Sequence, residues 1–169
     1  MKLVVLAALP LALAATAGSA YAGGYVSAGV GGAPDLGGDL TMLTTEGRSG
    51  RIALGHGFGA LAIEAGLGGF GVDGGTMMTA SLSAKVKTDL VSKLDIYARG
   101  GLERTWVRAD GPMADLSGDG KVLGAGLELN LPGLLTDSAL WLELDRQWMQ
   151  LGPSHGTADT LMLGLRFGL

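Results

Sequence analysis

From Ala158 to Leu169 the chain alternates almost without a break. Leu161, Leu163, Leu165, Phe167 and Leu169 fall on one face, and Thr160, Met162, Gly164, Arg166 and Gly168 fall on the other. Successive side chains of a strand point to opposite sides, so this pattern dictates a strand with one apolar face and one small or polar face. The run reaches Leu169 with no polar tail behind it. An apolar strand of this kind, exposed in water, is a template for aggregation. The hazard is removed when the apolar face lies against lipid and the strand closes a barrel, which leaves no edge.

The opposite end of the chain agrees. Met1 and Lys2 make a short positive start, Leu3 to Ala15 is apolar apart from Pro10, and Ala20-Tyr21-Ala22 has the form of a cleavage site. This three-part layout predicts a secretory signal peptide over residues 1–22 and a mature domain over 23–169. The apolar run is too short for a spanning helix, which needs about 20 apolar residues. Loss of Lys2 with the leader takes the formal net charge from −4 to about −5. A mildly acidic balance without a Lys/Arg cluster argues against a nucleic-acid partner. There is no cysteine, hence no disulfide framework and no thiolate metal site. A closed, hydrogen-bonded barrel in a bilayer supplies the missing constraint.

Seven further runs precede the terminal one, at Gly24–Gly31, Gly50–Phe58, Leu61–Gly69, Met77–Lys87, Lys93–Val107, Lys121–Leu131 and Ser138–Trp148. The cleanest sets Met78, Ala80, Leu82, Ala84 and Val86 against Thr79, Ser81, Ser83, Lys85 and Lys87. Alternating segments of about 10 residues between turn signals are the mark of a transmembrane barrel. The expected fold is therefore all-β, an eight-stranded antiparallel up-and-down transmembrane β-barrel. Short connections (59–60, 88–92, 132–137) alternate with longer ones (32–49, 110–120, 150–157), and only 70–76 breaks that order by its shortness. With the amino terminus in the periplasm, the long connections lie outside the cell.

The two faces differ in kind. One is nearly free of charge, and Leu82, Ile96, Leu127, Leu142, Leu163, Leu165 and Phe167 are its expected lipid contacts. The other mixes charges with glycine, alanine and serine. It carries Glu64, Lys85, Asp95, Arg99, Glu103, Glu128, Glu143, Asp145 and Arg166. A soluble calyx would spread Lys and Glu evenly over a solvated exterior, whereas small residues mixed with charge suit a narrow interior. The 31 glycines argue against helices and fit a lumen where space is short. Glu64, Lys85, Arg99, Glu128, Glu143 and Arg166 form the expected lumen charge network. Its neighbouring-strand pairs are Glu64 with Lys85, Arg99 with Glu128, and Glu143 with Arg166. Unpaired burial is costly, so these charges must find partners. Trp106, Trp148 and Tyr25 fall near strand ends, where aromatic girdles sit.

In this layout the chain resembles the small eight-stranded outer-membrane barrels of Gram-negative bacteria, the OmpA-like and OmpX-like group. The resemblance covers residues 23–169 and lies in the order of strands, not in a motif. It implies the outer membrane as location, outer-membrane lipids as surroundings, and insertion by the barrel-assembly machinery. That group ends its last strand in an aromatic residue; here Phe167 is third from last. A monomer is expected.

Residues able to carry chemistry are few. Ser154, His155 and Asp159 offer the side chains of a hydrolytic set, but their order in a loop says nothing of geometry. His56, next to Phe58 in the pattern, reads as interfacial. Asp115, Ser117, Asp119 and Gly120 resemble the first half of a calcium loop, yet the twelfth position is Gly126, not glutamate. No catalytic, cofactor-binding or metal-binding residue is assigned, and no cofactor is expected. Three functions remain open: a structural or surface-interaction barrel displaying segments 32–49 and 104–120, a narrow channel or carrier for small solutes, and a lipid-modifying hydrolase or acyltransferase.

Overall fold

The computed structural model describes residues 22–109, 116–131 and 137–169. The leader expected over 1–22 falls almost wholly outside them, as do the tip of the 110–120 connection and most of 132–137. Among the described residues there are nine strands: β1 (Ala22–Gly31), β2 (Asp35–Gly38), β3 (Thr45–Phe58), β4 (Leu61–Val72), β5 (Gly75–Val91), β6 (Leu94–Ala109), β7 (Leu116–Asn130), β8 (Ser138–Leu151) and β9 (Ser154–Gly168). Eight of them form an antiparallel up-and-down barrel in the order β1-β3-β4-β5-β6-β7-β8-β9, closed by pairing of β1 with β9. The short β2 follows β1 and runs along the upper part of β9, from Asp35 opposite Asp159 to Gly38 opposite Gly156.

The pairing register advances by about ten residues in one circuit of the barrel, which tilts the strands by about 40°. Eight strands at that tilt enclose an interior only wide enough for side chains. Two-residue turns join several pairs. Gly59 (φ 73°) begins the β3–β4 turn and Gly74 (φ 71°) ends the β4–β5 turn. A side chain at either would be strained in that left-handed conformation.

The strands run longer than the alternation alone indicates, mostly toward the end bearing residues 32–44, although β5 also runs on to Val91 at the opposite end. β3 begins at Thr45, β7 at Leu116, and β8 meets β9 across Gly152 and Pro153. Segments expected as long loops are thus partly strand. Glycine, threonine and serine weaken the hydrophobic period there, but the backbone ladder continues regardless of what the side chains face.

At this loop end the mouth is closed by an apolar cap. A single 3-10 turn (Asp39–Met42) carries Leu40 inward onto Phe70, Val72, Met77, Met149, Leu151 and Ala158. The opposite, turn end holds the chain terminus and the charged part of the lumen. Tyr25 belongs there too. It is buried inside the barrel, 1% exposed, rather than set in an outer girdle. Its place on the face opposite Val26 and Ala28 decides this, not its nearness to a strand end.

Candidate functional site

The barrel wall sorts the sequence into two surfaces. On the outer face Leu82, Ile96, Leu127, Leu142, Leu163 and Leu165 are between 39% and 61% exposed, and Phe167 lies near the turn end of the same face. With Ile52, Leu54, Ile63, Leu67, Leu102, Leu123, Leu144 and Leu161 they make a belt about 20 Å tall. Charges bound it toward the loop end: Arg104 pairs with Asp119 at 3.2 Å, and Arg146 forks onto Asp159 at 2.7 and 2.5 Å. Trp106 and Trp148 lie at the same border, 41% and 42% exposed. His56 meets Phe58 edge-on at 4.7 Å near the turn end.

The inner surface is polar and filled. Glu64, Lys85, Arg99, Glu128, Glu143 and Arg166 all lie inside, none more than 3% exposed. They fall into two groups. In the lower one Glu128 accepts from Lys85 Nζ at 3.3 Å, Lys87 Nζ at 3.1 Å and Arg166 Nε at 3.0 Å. Each donor has a second acid: Lys85 has Glu64 at 3.8 Å, Lys87 has Asp95 at 2.8 Å, and Arg166 has Asp137 at 3.1 Å. The Tyr25 hydroxyl donates to Glu64 at 2.9 Å. In the upper group Arg99 reaches Asp145 at 2.7 Å and Glu143 at 3.2 Å. Arg51 bonds to Glu143 and also lies 3.2 Å from Asp145.

Adjacency of strands therefore predicts only part of the pairing. Glu64 and Lys85 do approach each other, but Arg99 does not meet Glu128, and Glu143 does not meet Arg166. The register gives the reason. Arg99 stands opposite Gly124, four residues from Glu128 along β7, and Glu143 stands opposite Met162, four residues from Arg166. Four strand residues span about 13 Å. Arg99, Gly124 and Asp145 instead form one row across β6, β7 and β8. Glycine in the middle leaves the space over which the guanidinium reaches its acid; a Cβ at Gly124 would collide with the Asp145 carboxylate.

Arg51 completes the upper group. Its signal was available, since it alternates with Ile52, but the single charge of a glycine-rich run does not announce its partners 92 and 94 residues away. The lumen aromatics use glycines in the same manner. The ring of Tyr25 covers Gly55, that of Tyr97 covers Gly126, and that of Trp141 covers both Gly29 and Gly164, with no room for a Cβ at any of the four. The rings also receive cations: Lys85 Nζ lies 3.8 Å from the centroid of Tyr97, and the Arg51 guanidinium 5.0 Å from that of Trp141.

The possible hydrolytic set is not assembled. His155 and Asp159 lie four residues apart on the outer face of β9, Ser154 points the other way, and Asp159 is engaged by Arg146. The calcium-like segment is equally unsuited, because Ser117 and Asp119 are in extended β7 and Gly126 faces the lumen; Asp115 lies outside the described residues. Among the described residues no group of three or more His, Cys, Asp and Glu side chains is arranged to hold a metal.

The sequence matches no protein-family model and no curated protein. Solved structures match it well. Neisserial surface protein A superposes with a TM-score of 0.71 at 18% identity, over 89% of this chain and 99% of that one. The N-terminal β-barrel domain of Pseudomonas aeruginosa OprF gives 0.58 at 12% identity, over 88% and 100%. Ail, the attachment invasion locus protein of Yersinia pestis, gives 0.52 at 16% identity, over 86% and 99%. At such identities the likeness is one of backbone architecture. The chain has the eight-stranded antiparallel up-and-down barrel fold of these small bacterial outer-membrane proteins.

Proposed function

We propose that this chain is an outer-membrane barrel with a side-chain-filled lumen, serving a structural or surface-interaction role through the segments at its loop end. The observation that carries the reading is the closed interior. Two groups of paired charges and three aromatic rings occupy the lower and middle lumen, and Leu40 with its apolar neighbours occupies the mouth. A water path through such a barrel has no free cross-section. Export by the leader over 1–22, insertion by the barrel-assembly machinery, and a monomeric state in outer-membrane lipid belong to the same reading. The apolar belt and its charged border support it, since a closed barrel leaves no backbone group unpaired in hydrocarbon.

Conductance of the purified protein in planar bilayers is the decisive experiment. Little or no steady current is expected. A large, stable open-channel current from wild-type protein would replace this reading with a narrow channel or carrier. Turnover of lipid A or phospholipid by the pure protein would replace it with a lipid-modifying enzyme, for which the positions of Ser154, His155 and Asp159 give no support.

A further inference from the structure

Charge on the outer face is gathered on one side of the barrel. Among the described residues the outer faces of β6 to β9 carry four bases near the loop end, Arg104, Arg108, Lys121 and Arg146, against two acids, Asp119 and Asp159. The matching stretches of β4 and β5, residues 67–71 and 76–80, carry no charge. Both acids are already engaged, Asp119 by Arg104 and Asp159 by Arg146. Asp35 on β2 lies beyond Asp159, on the side away from β7. Lys121 is exposed and makes no ion pair among the described residues.

The register brings three of these bases together. Lys121 stands opposite Leu102 on β6 and Trp148 on β8, so Arg104 and Arg146 are its diagonal neighbours on the same face. Diagonal neighbours lie about 7–8 Å apart, within reach of side chains this long. The rows of paired residues climb toward the loop end in passing from β6 to β8, and the two diagonals offset that climb. The three cations therefore lie at nearly one depth, within about 4 Å of each other along the barrel axis. Just below them are the exposed leucines Leu102, Leu123 and Leu144. Trp148 stands beside them at the level of lipid headgroups.

We propose that Lys121, Arg104 and Arg146 bind a phosphate of lipid A, the phosphorylated glycolipid of the outer leaflet; the inference rests on the outward orientation of the loop end in the reading above. A cation at the edge of the hydrocarbon is costly unless an anion meets it, and Lys121 has none from the protein. Phosphate offers several acceptor oxygens to Lys and Arg donors. The exposed pairs of Arg104 and Arg146 with their aspartates are weak, and each guanidinium keeps N–H groups to share. The leucines directly below take acyl chains, so the fitting ligand carries its phosphate immediately above its chains. A free phosphate ion would leave that apolar wall unused.

The test is native mass spectrometry of the full barrel in detergent micelles, titrated separately with lipid A, dephosphorylated lipid A, phosphatidylglycerol and inorganic phosphate. Folding is read first, as heat-modifiable gel mobility. Wild-type protein should retain one lipid A saturably and hold each of the other three at least about tenfold more weakly. Lys121→Gln should weaken lipid A retention about tenfold, the loss of one charge-assisted contact. Arg104→Gln carries the test if Lys121→Gln does not fold. Arg48→Gln should change nothing, because that exposed cation lies on β3, four strands around the barrel from β7. Folded wild-type protein that retains no lipid A overturns the inference and leaves the barrel reading standing; protein that never folds to a heat-modifiable form overturns both. Equal retention of the dephosphorylated lipid assigns binding to the chains alone, and equal retention of phosphatidylglycerol or inorganic phosphate assigns it to anions in general. Either result overturns the inference, as does a loss in Lys121→Gln no larger than that in Arg48→Gln.

Discussion

Glu128→Gln isolates the contribution of the lower charge group. The residue is fully buried and receives three charged donors at 3.0 to 3.3 Å. The substitution keeps the shape and one acceptor oxygen but removes the charge. Breaking a buried ion pair costs about 3–5 kcal/mol, because the partner is left uncompensated. Here Lys85, Lys87 and Arg166 each retain a second acid, Glu64, Asp95 and Asp137 in turn. That redundancy places the expected loss at the lower end, about 3 kcal/mol, or more than a hundredfold in the unfolding equilibrium. Reversible urea unfolding in phospholipid vesicles measures it. Arg146→Ala is the control: its pair with Asp159 lies on the outer face, with the Arg146 side chain 55% exposed, so solvent and salt already screen it and stability should hold. If Glu128→Gln loses no more than Arg146→Ala, the buried network is not what holds the lower barrel together.

Other perturbations read other parts of the molecule. Leu142→Arg and Leu163→Arg, near the middle of the outer belt, should each impair insertion by about 2–4 kcal/mol in vesicle folding assays; tolerance equal to that of a lumen change such as Ser83→Asn would mean the faces are reversed. Gly164→Val puts a side chain where Trp141 lies and should cost about 1–3 kcal/mol through overpacking, with the Trp141 fluorescence displaced; an unchanged spectrum and midpoint would show that the ring does not rest on that glycine. The processed protein, beginning near Gly23, should float with outer membranes and resist carbonate extraction, whereas recovery as a soluble periplasmic protein would favour a calyx instead.

The period of two along the chain was enough to determine an eight-stranded barrel, because a strand's side chains have only two directions and a one-residue slip would exchange every lipid-side leucine for a lumen charge. Ala158–Leu169 and Met77–Lys87 show it most plainly. Alternation also separated Glu64, Lys85, Arg99, Glu128, Glu143 and Arg166 from the leucines. It could not say which charge meets which. Pairing across a tilted barrel depends on register and stagger: Arg99 lies in one row with Asp145 only because β6, β7 and β8 are offset as they are, and only because Gly124 leaves the path clear. Nor could alternation find the closure of the mouth, where a 3-10 turn carries Leu40 inward from a stretch with no strand period. Glu103 shows the same limit: its charge and inward face are visible in the sequence, but that it lies 5% exposed with no ion pair among the described residues is known only from the folded barrel. Faces are a local property of the backbone, while the contents of the lumen are settled by side chains from distant strands that meet only after the barrel has closed.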